Sequence, residues 1–96
     1  MNELVDTFSN RLNTAMRIRN LKPVELSEKT GIDKSKISSY MSGRYKAKQD
    51  GVYLLAQALQ VNEAWLMGLD VSMEKNLNIY ITDKLGNSII PIPILG

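Results

Sequence analysis

Residues 34–42 read Lys-Ser-Lys-Ile-Ser-Ser-Tyr-Met-Ser, and their spacing can do hydrogen-bonding chemistry. At about 100° per residue, helical geometry gathers Ile37, Tyr40 and Met41 on one side. Ser35, Ser39 and Ser42 fall opposite, with Lys34, Lys36 and Ser38 on the flanks. A serine hydroxyl donates and accepts, and it is short enough to let a helix approach another surface closely. Lysine ammonium groups beside it add point charges for anionic partners. The next residues, Arg44-Tyr45-Lys46-Ala47-Lys48, supply three more cations and a phenol in what reads as a loop. Taken alone, a serine-rich helix face is ordinary solvated surface. The turn before it and the basic loop after it favour a surface that reads hydrogen-bonding edges between charged backbones.

Bond-breaking chemistry has little to work with. The chain has no histidine and no cysteine. That excludes disulfides and thiolate metal sites and removes the commonest acid–base group and metal ligand. No glycine loop is arranged to cradle a phosphate. The isolated acids Glu25, Glu28 and Asp33 read as surface charges or a helix cap. We therefore expect no enzyme activity, no catalytic residue, no bound metal and no cofactor. No apolar run approaches the ~18 residues of a membrane span. The start, MNELVDTF, lacks the basic and apolar segments of a secretory signal, so the expected location is cytoplasmic and no membrane partner is expected.

The net charge of +2 hides a gradient. From Arg11 to Lys48 there are ten basic residues (Arg11, Arg17, Arg19, Lys22, Lys29, Lys34, Lys36, Arg44, Lys46 and Lys48) against three acidic ones. Beyond Lys48 there are two basic and five acidic residues. Such a gradient suits a basic face directed at a polyanion, although uneven surface charge alone would look the same.

Five helical elements must position these groups. Leu4, Val5, Phe8, Leu12, Ala15 and Met16 recur at helical spacing and predict a first helix over 4–19. Pro23 suits the first position of a second helix, which Gly31 ends by turning left-handed. Asp33 predicts an N-cap for a third helix that stops at Ser42-Gly43. Val52, Leu55, Ala56 and Leu59 predict a fourth helix over roughly 49–60. Asn62 caps a short fifth helix through Met67, placing Trp65 and Leu66 under the bundle. Two short helices joined at Gly31 make a helix-turn-helix unit, whose second helix enters the major groove of DNA. After Val71 the character changes. Leu77, Ile79 and Ile81 alternate with polar residues, and Pro91 and Pro93 limit the last run to an edge strand or an extended linker. The expected division is a DNA-binding domain over 1–70 and a linker or β-hairpin tail over 71–96.

The run from Leu21 to Gly43, LKPVELSEKTGIDKSKISSYMSG, resembles the helix-turn-helix of the lambda-repressor-like (Cro/CI-type) family. The likeness extends over about residues 8–69, including Leu54-Leu55-Ala56-Gln57-Ala58-Leu59 and Ala64-Trp65-Leu66-Met67-Gly68. It implies an all-α, five-helix bundle that binds operator DNA, usually as a homodimer on a palindrome, in a phage-type repressor. An antirepressor protein is a further possible partner. The candidate DNA contacts are Lys22, Lys34, Ser35, Lys36, Ser38, Ser39, Ser42, Arg44, Tyr45, Lys46 and Lys48. Tyr53, Leu54 and Leu69 are candidates for dimer contact or for core packing.

Four positions depart from the family pattern. Pro23 stands where a glutamine commonly contacts phosphate and braces the recognition helix. Ser27 replaces an alanine, and Ala47 replaces a frequent proline. Met16 and Met41 replace an interior arginine–glutamate pair, which avoids the desolvation cost of two buried ions; we expect the two side chains to touch. The tail Ile90-Pro91-Ile92-Pro93-Ile94-Leu95-Gly96 is similar to the segment leading into the self-cleaving domain of LexA-like repressors. The chain then reads as the N-terminal part of a longer repressor, or alternatively as a complete small regulator. A protein-interaction module on the same fold, such as an antitoxin, is the competing function; its mark would be an apolar exposed face on the third helix.

Overall fold

The computed structural model describes residues 4–75. The tail, with its expected hairpin or linker, lies outside the described residues from 76 on. Among the described residues five helices follow in order: α1 (Phe8–Arg19), α2 (Pro23–Thr30), α3 (Lys34–Ser42), α4 (Gln49–Leu59) and α5 (Glu63–Leu66). No strand forms among the described residues; an isolated antiparallel bridge joins Leu4 to Leu69.

The first helix starts later than its apolar spacing suggests. Thr7 is its N-cap, with the hydroxyl accepting from Asn10 N at 3.1 Å. Leu4 and Val5 are exposed and extended rather than helical. The Val5 N–H donates to the Gly68 carbonyl at 2.8 Å, so this arm is held by the far end of the domain. Asp6 joins the two parts. Its carboxylate accepts from Asn10, Thr7 N and Arg11, and those bonds hold it below the usual carboxylate range. α4 and α5 are also slightly shorter than expected, ending at Leu59 and Leu66.

The core follows the helical apolar stripes. Leu12, Leu26, Ile37, Leu55, Leu59, Val61 and Leu66 are fully buried, with Phe8, Ala15, Met16, Val52, Ala56 and Trp65 around them. Every helix contributes, which is how a chain this short closes one core. Phe8 meets the Tyr40 ring edge-on, with centroids 5.7 Å apart, and so packs the start of α1 against α3. Tyr53 and Leu54, candidates for the core or a dimer surface, are exposed, while Leu69 is half-buried.

Two arginines expected on the basic face are used inside the fold. Arg11 Nη1 donates to the Trp65 carbonyl at 2.8 Å, and its guanidinium lies 4.6 Å from the Trp65 ring centroid. Arg19 donates to the carbonyls of Leu59 at 2.8 Å and Gln60 at 2.9 Å, where the end of α4 leaves acceptors unpaired. The surplus of positive charge offered to a partner is correspondingly smaller than the sequence suggests.

Candidate nucleic-acid interface

The turn between α2 and α3 decides where the serine face points. Gly31 takes φ +78°, and a Cβ built there would meet nothing within 4 Å. Its requirement is therefore conformational, for a left-handed residue that ends α2. Two hydroxyls then tie the turn down. Ser27 Oγ donates to the Ile32 carbonyl at 2.7 Å. Thr30 Oγ1 donates to the Leu26 carbonyl at 2.8 Å and accepts from Ile32 N at 3.1 Å. Ser27, which reads from sequence only as a small residue permitting close approach, is thus a brace. Ser27→Ala is expected to lower stability by about 1 kcal/mol. Thermal melts of the two proteins check this, and an unchanged melt would remove the role assigned to the hydroxyl.

The far end of α3 is held from α1. Ser9 Oγ donates to the Met41 carbonyl at 2.7 Å and Asn13 Nδ2 to the same oxygen at 2.9 Å. Ile37 anchors the middle of α3, fully buried. Met16 is buried and Met41 packs half-buried against the same core. With Pro23 opening α2, bracing of α3 falls to these contacts. Pro23 carries no side-chain donor, and Glu25 instead accepts from the Lys22 backbone N–H at 2.8 Å.

Beyond α3 the chain folds back. Gly43 takes φ +83°, and the N–H groups of Arg44 and Tyr45 reach the Ser39 carbonyl at 3.0 and 3.4 Å. Ser42 Oγ donates to that carbonyl as well, at 3.0 Å. This crowding leaves Ser39 half-buried. The other ten candidate contact residues are exposed.

Between the serine face, the 44–48 loop and the start of α4 lies an open cleft of about 860 Å³. It brings together Ser35, Lys36, Ser39, Tyr45, Lys46 and Lys48. Lys22, Lys34, Ser38, Ser42 and Arg44 lie outside it on the exposed surface. The cleft also has lining that sequence reasoning did not assign to the site: Ile32, Tyr40, Gly51, Leu54 and the acids Asp33 and Asp50. Asp50 and Leu54 reach it only because α4 packs beside the turn, a non-local placement that spacing does not reveal. Asp33 was legible as a cap but not as part of the lining. Its carboxylate accepts from the hydroxyl of Ser35 and from Ser35 N, and these bonds hold it below the usual carboxylate range.

A small, polar helix face flanked by cations can hydrogen-bond base edges and phosphates together. No helix among the described residues is long and apolar enough to cross a membrane.

Comparison with known proteins agrees with this geometry. No curated protein matches the chain in sequence. Among solved structures, the chain is similar to the solution structure of the SOS-response transcriptional repressor LexA from Eubacterium rectale. The TM-score is 0.59 at 20% identity, covering 88% of this chain and 86% of that one, a likeness of fold. The helix-turn-helix family model matches residues 15–66, which span α2, the turn, α3 and most of the bundle. The chain belongs to the Cro/CI-type helix-turn-helix family of DNA-binding transcriptional regulators.

Proposed function

We propose that this chain is the operator-reading domain of a phage-type transcriptional repressor, seating α3 in the major groove. One observation carries the reading: Ser35, Ser39 and Lys36 of α3 share a single open cleft with Lys46 and Lys48 of the following loop. A helix that enters the groove brings its outward side chains to base edges, while the adjoining loop runs along phosphates. In this assignment Ser35, Ser38, Ser39 and Ser42 face bases. Lys34 and Lys36 reach a guanine edge or a phosphate, and Lys22, Arg44, Tyr45, Lys46 and Lys48 contact the backbone. The likeness to a named repressor supports repression as the outcome of binding.

The same reading assigns residues 1–70 to the DNA-binding unit and the remainder to a tail. It pairs two copies on a palindromic operator. Tyr53, exposed on α4 and outside the cleft, is a proposed dimer contact.

Selection of bound sites from a random duplex library tests the whole reading. An inverted repeat is the expected product, with half-sites about one helical turn apart or a multiple of it. Enrichment of a single unrepeated site would remove the dimer, and no enrichment at all would remove sequence-specific binding.

A further inference from the structure

A surface built only to attract phosphates has no use for a carboxylate, yet Asp33 lines the cleft beside Ser35. It is the N-cap of α3, exposed, and its Oδ2 accepts from Ser35 N at 3.2 Å and from the Ser35 hydroxyl. That second bond matters for chemistry. A hydroxyl has one hydrogen, and here it is committed to Asp33. Ser35 therefore offers only lone pairs to whatever enters the cleft. An ionised carboxylate likewise has nothing to donate, and Oδ1, which accepts no bond from the described residues, is left to accept one.

We infer that Asp33 and Ser35 together form an acceptor-only reading edge, and that the base they meet presents an exocyclic amine in the major groove, cytosine N4 before adenine N6. The inference rests on the reading of α3 as the recognition helix. Guanine shows O6 and N7 there and thymine shows O4, all acceptors. Each would set lone pairs against lone pairs with no hydrogen between. Cytosine offers the N4 donor alone, and adenine offers its N6 donor beside the N7 acceptor. Lys36 lines the same cleft, and its ammonium suits the O6 and N7 of the guanine that pairs with that cytosine. Asp33 acts on Ser35 as a positioning residue as well as reading directly. A serine whose hydroxyl was free to rotate could donate or accept and so would meet any base.

The competing role for Asp33 is a helix cap and nothing more. Asparagine caps nearly as well as aspartate, so Asp33→Asn keeps the capping oxygen, removes the charge and puts an NH2 donor where Oδ1 was an acceptor. Binding sites are selected from random duplexes with the unaltered chain, Asp33→Asn and Ser35→Ala. Dissociation constants are then measured on duplexes changed at one base pair at a time. With the unaltered chain, one position of each half-site is expected to be cytosine or adenine, with guanine or thymine there weakening binding roughly 10- to 100-fold. Asp33→Asn should shrink that penalty several-fold at that position only, and Ser35→Ala should act at the same position. The thermal melt of Asp33→Asn shows that α3 is still capped; if it falls sharply, Ser35→Ala, which keeps the carboxylate, decides the matter. Equal weakening of all sequences by Asp33→Asn would mean a cap alone and overturn the inference. So would a guanine or thymine at the position that both variants relax. A chain that binds duplexes without any base preference would overturn the operator reading first, and this inference with it.

Discussion

Replacing Arg44, Lys46 and Lys48 together by alanine is expected to weaken binding to every duplex about a hundredfold near physiological salt. Each phosphate contact contributes about 0.9 to the slope of log K against log salt concentration. Three lost contacts therefore flatten that slope by roughly 2–3. At about 0.15 M salt the same three contacts correspond to about two decades of affinity. All three residues are exposed, so their removal leaves the core intact. The loop adjoins the serine face without being part of α3, so operator and random DNA should suffer alike. Fluorescence anisotropy of a labelled operator and a scrambled duplex, titrated at four or five salt concentrations, reads both quantities. If the triple variant lost affinity for the operator alone, the loop would be reading bases and its assignment to phosphate would fail. If the slope stayed as it was, these cations would face away from DNA.

The parts of the fold that were legible in the sequence are those set by local chemistry. Pro23, Gly31, Asp33 and Gly43 punctuate α2 and α3, and each acts within a few residues of itself. Those two helices consequently match their predicted limits closely. The outward serine face was legible for the same reason, because helical spacing alone separates Ser35, Ser39 and Ser42 from Ile37 and Tyr40. What was not legible depends on partners far along the chain. Leu4 and Val5 continue the apolar spacing of α1, yet their backbone is claimed by residues 68 and 69. Arg11 and Arg19 count as basic surface until their carbonyl partners, 40 or more positions away, come into view. Ser9 and Asn13 carry no motif at all, but they hold the Met41 carbonyl and so tie the end of α3 to α1.

The same division explains the site. Its cations are recognisable by type. Its shape is not, because the cleft wall contributed by Asp50, Gly51 and Leu54 exists only once α4 has packed against α2. Pro23 gives the clearest case of sequence and structure acting together. Its presence predicts the loss of a bracing side chain at the start of α2. The structure supplies the replacement further along that helix, in the hydroxyls of Ser27 and Thr30, and across the bundle in Ser9 and Asn13. The position of α3 is thus held without a side-chain brace at the start of α2, because the turn and the far end of the helix are both tied.

Gly68→Ala is expected to be the most damaging single substitution of a turn glycine, lowering stability by about 2–3 kcal/mol. Two costs add. Gly68 sits at φ +102°, where an L-residue is strained by about 1–2 kcal/mol. The new Cβ would also lie 3.1 Å from the Asp6 carbonyl carbon and closer still to its oxygen, with Leu4 Cδ2 at 3.5 Å. Backbone cannot step aside as the end of a flexible side chain can. The 4–6 arm must lift, and the Val5–Gly68 hydrogen bond goes with it, for about a further 1 kcal/mol. For a domain of this size each kcal/mol corresponds to roughly 4–8 °C in Tm, so the midpoint should fall on the order of 10–25 °C. Gly31→Ala provides the internal control. Gly31 has a similar positive φ but open space around its Cβ, so it should show the conformational cost alone. Paired thermal melts by circular dichroism give the difference between the two variants, which isolates the arm's contribution. A Gly68→Ala loss no larger than that of Gly31→Ala would mean that the arm lifts freely and contributes nothing to the stability of the bundle. Because Gly68 lies outside the cleft proposed to face DNA, the fraction of Gly68→Ala still folded at low temperature should bind DNA with undiminished affinity.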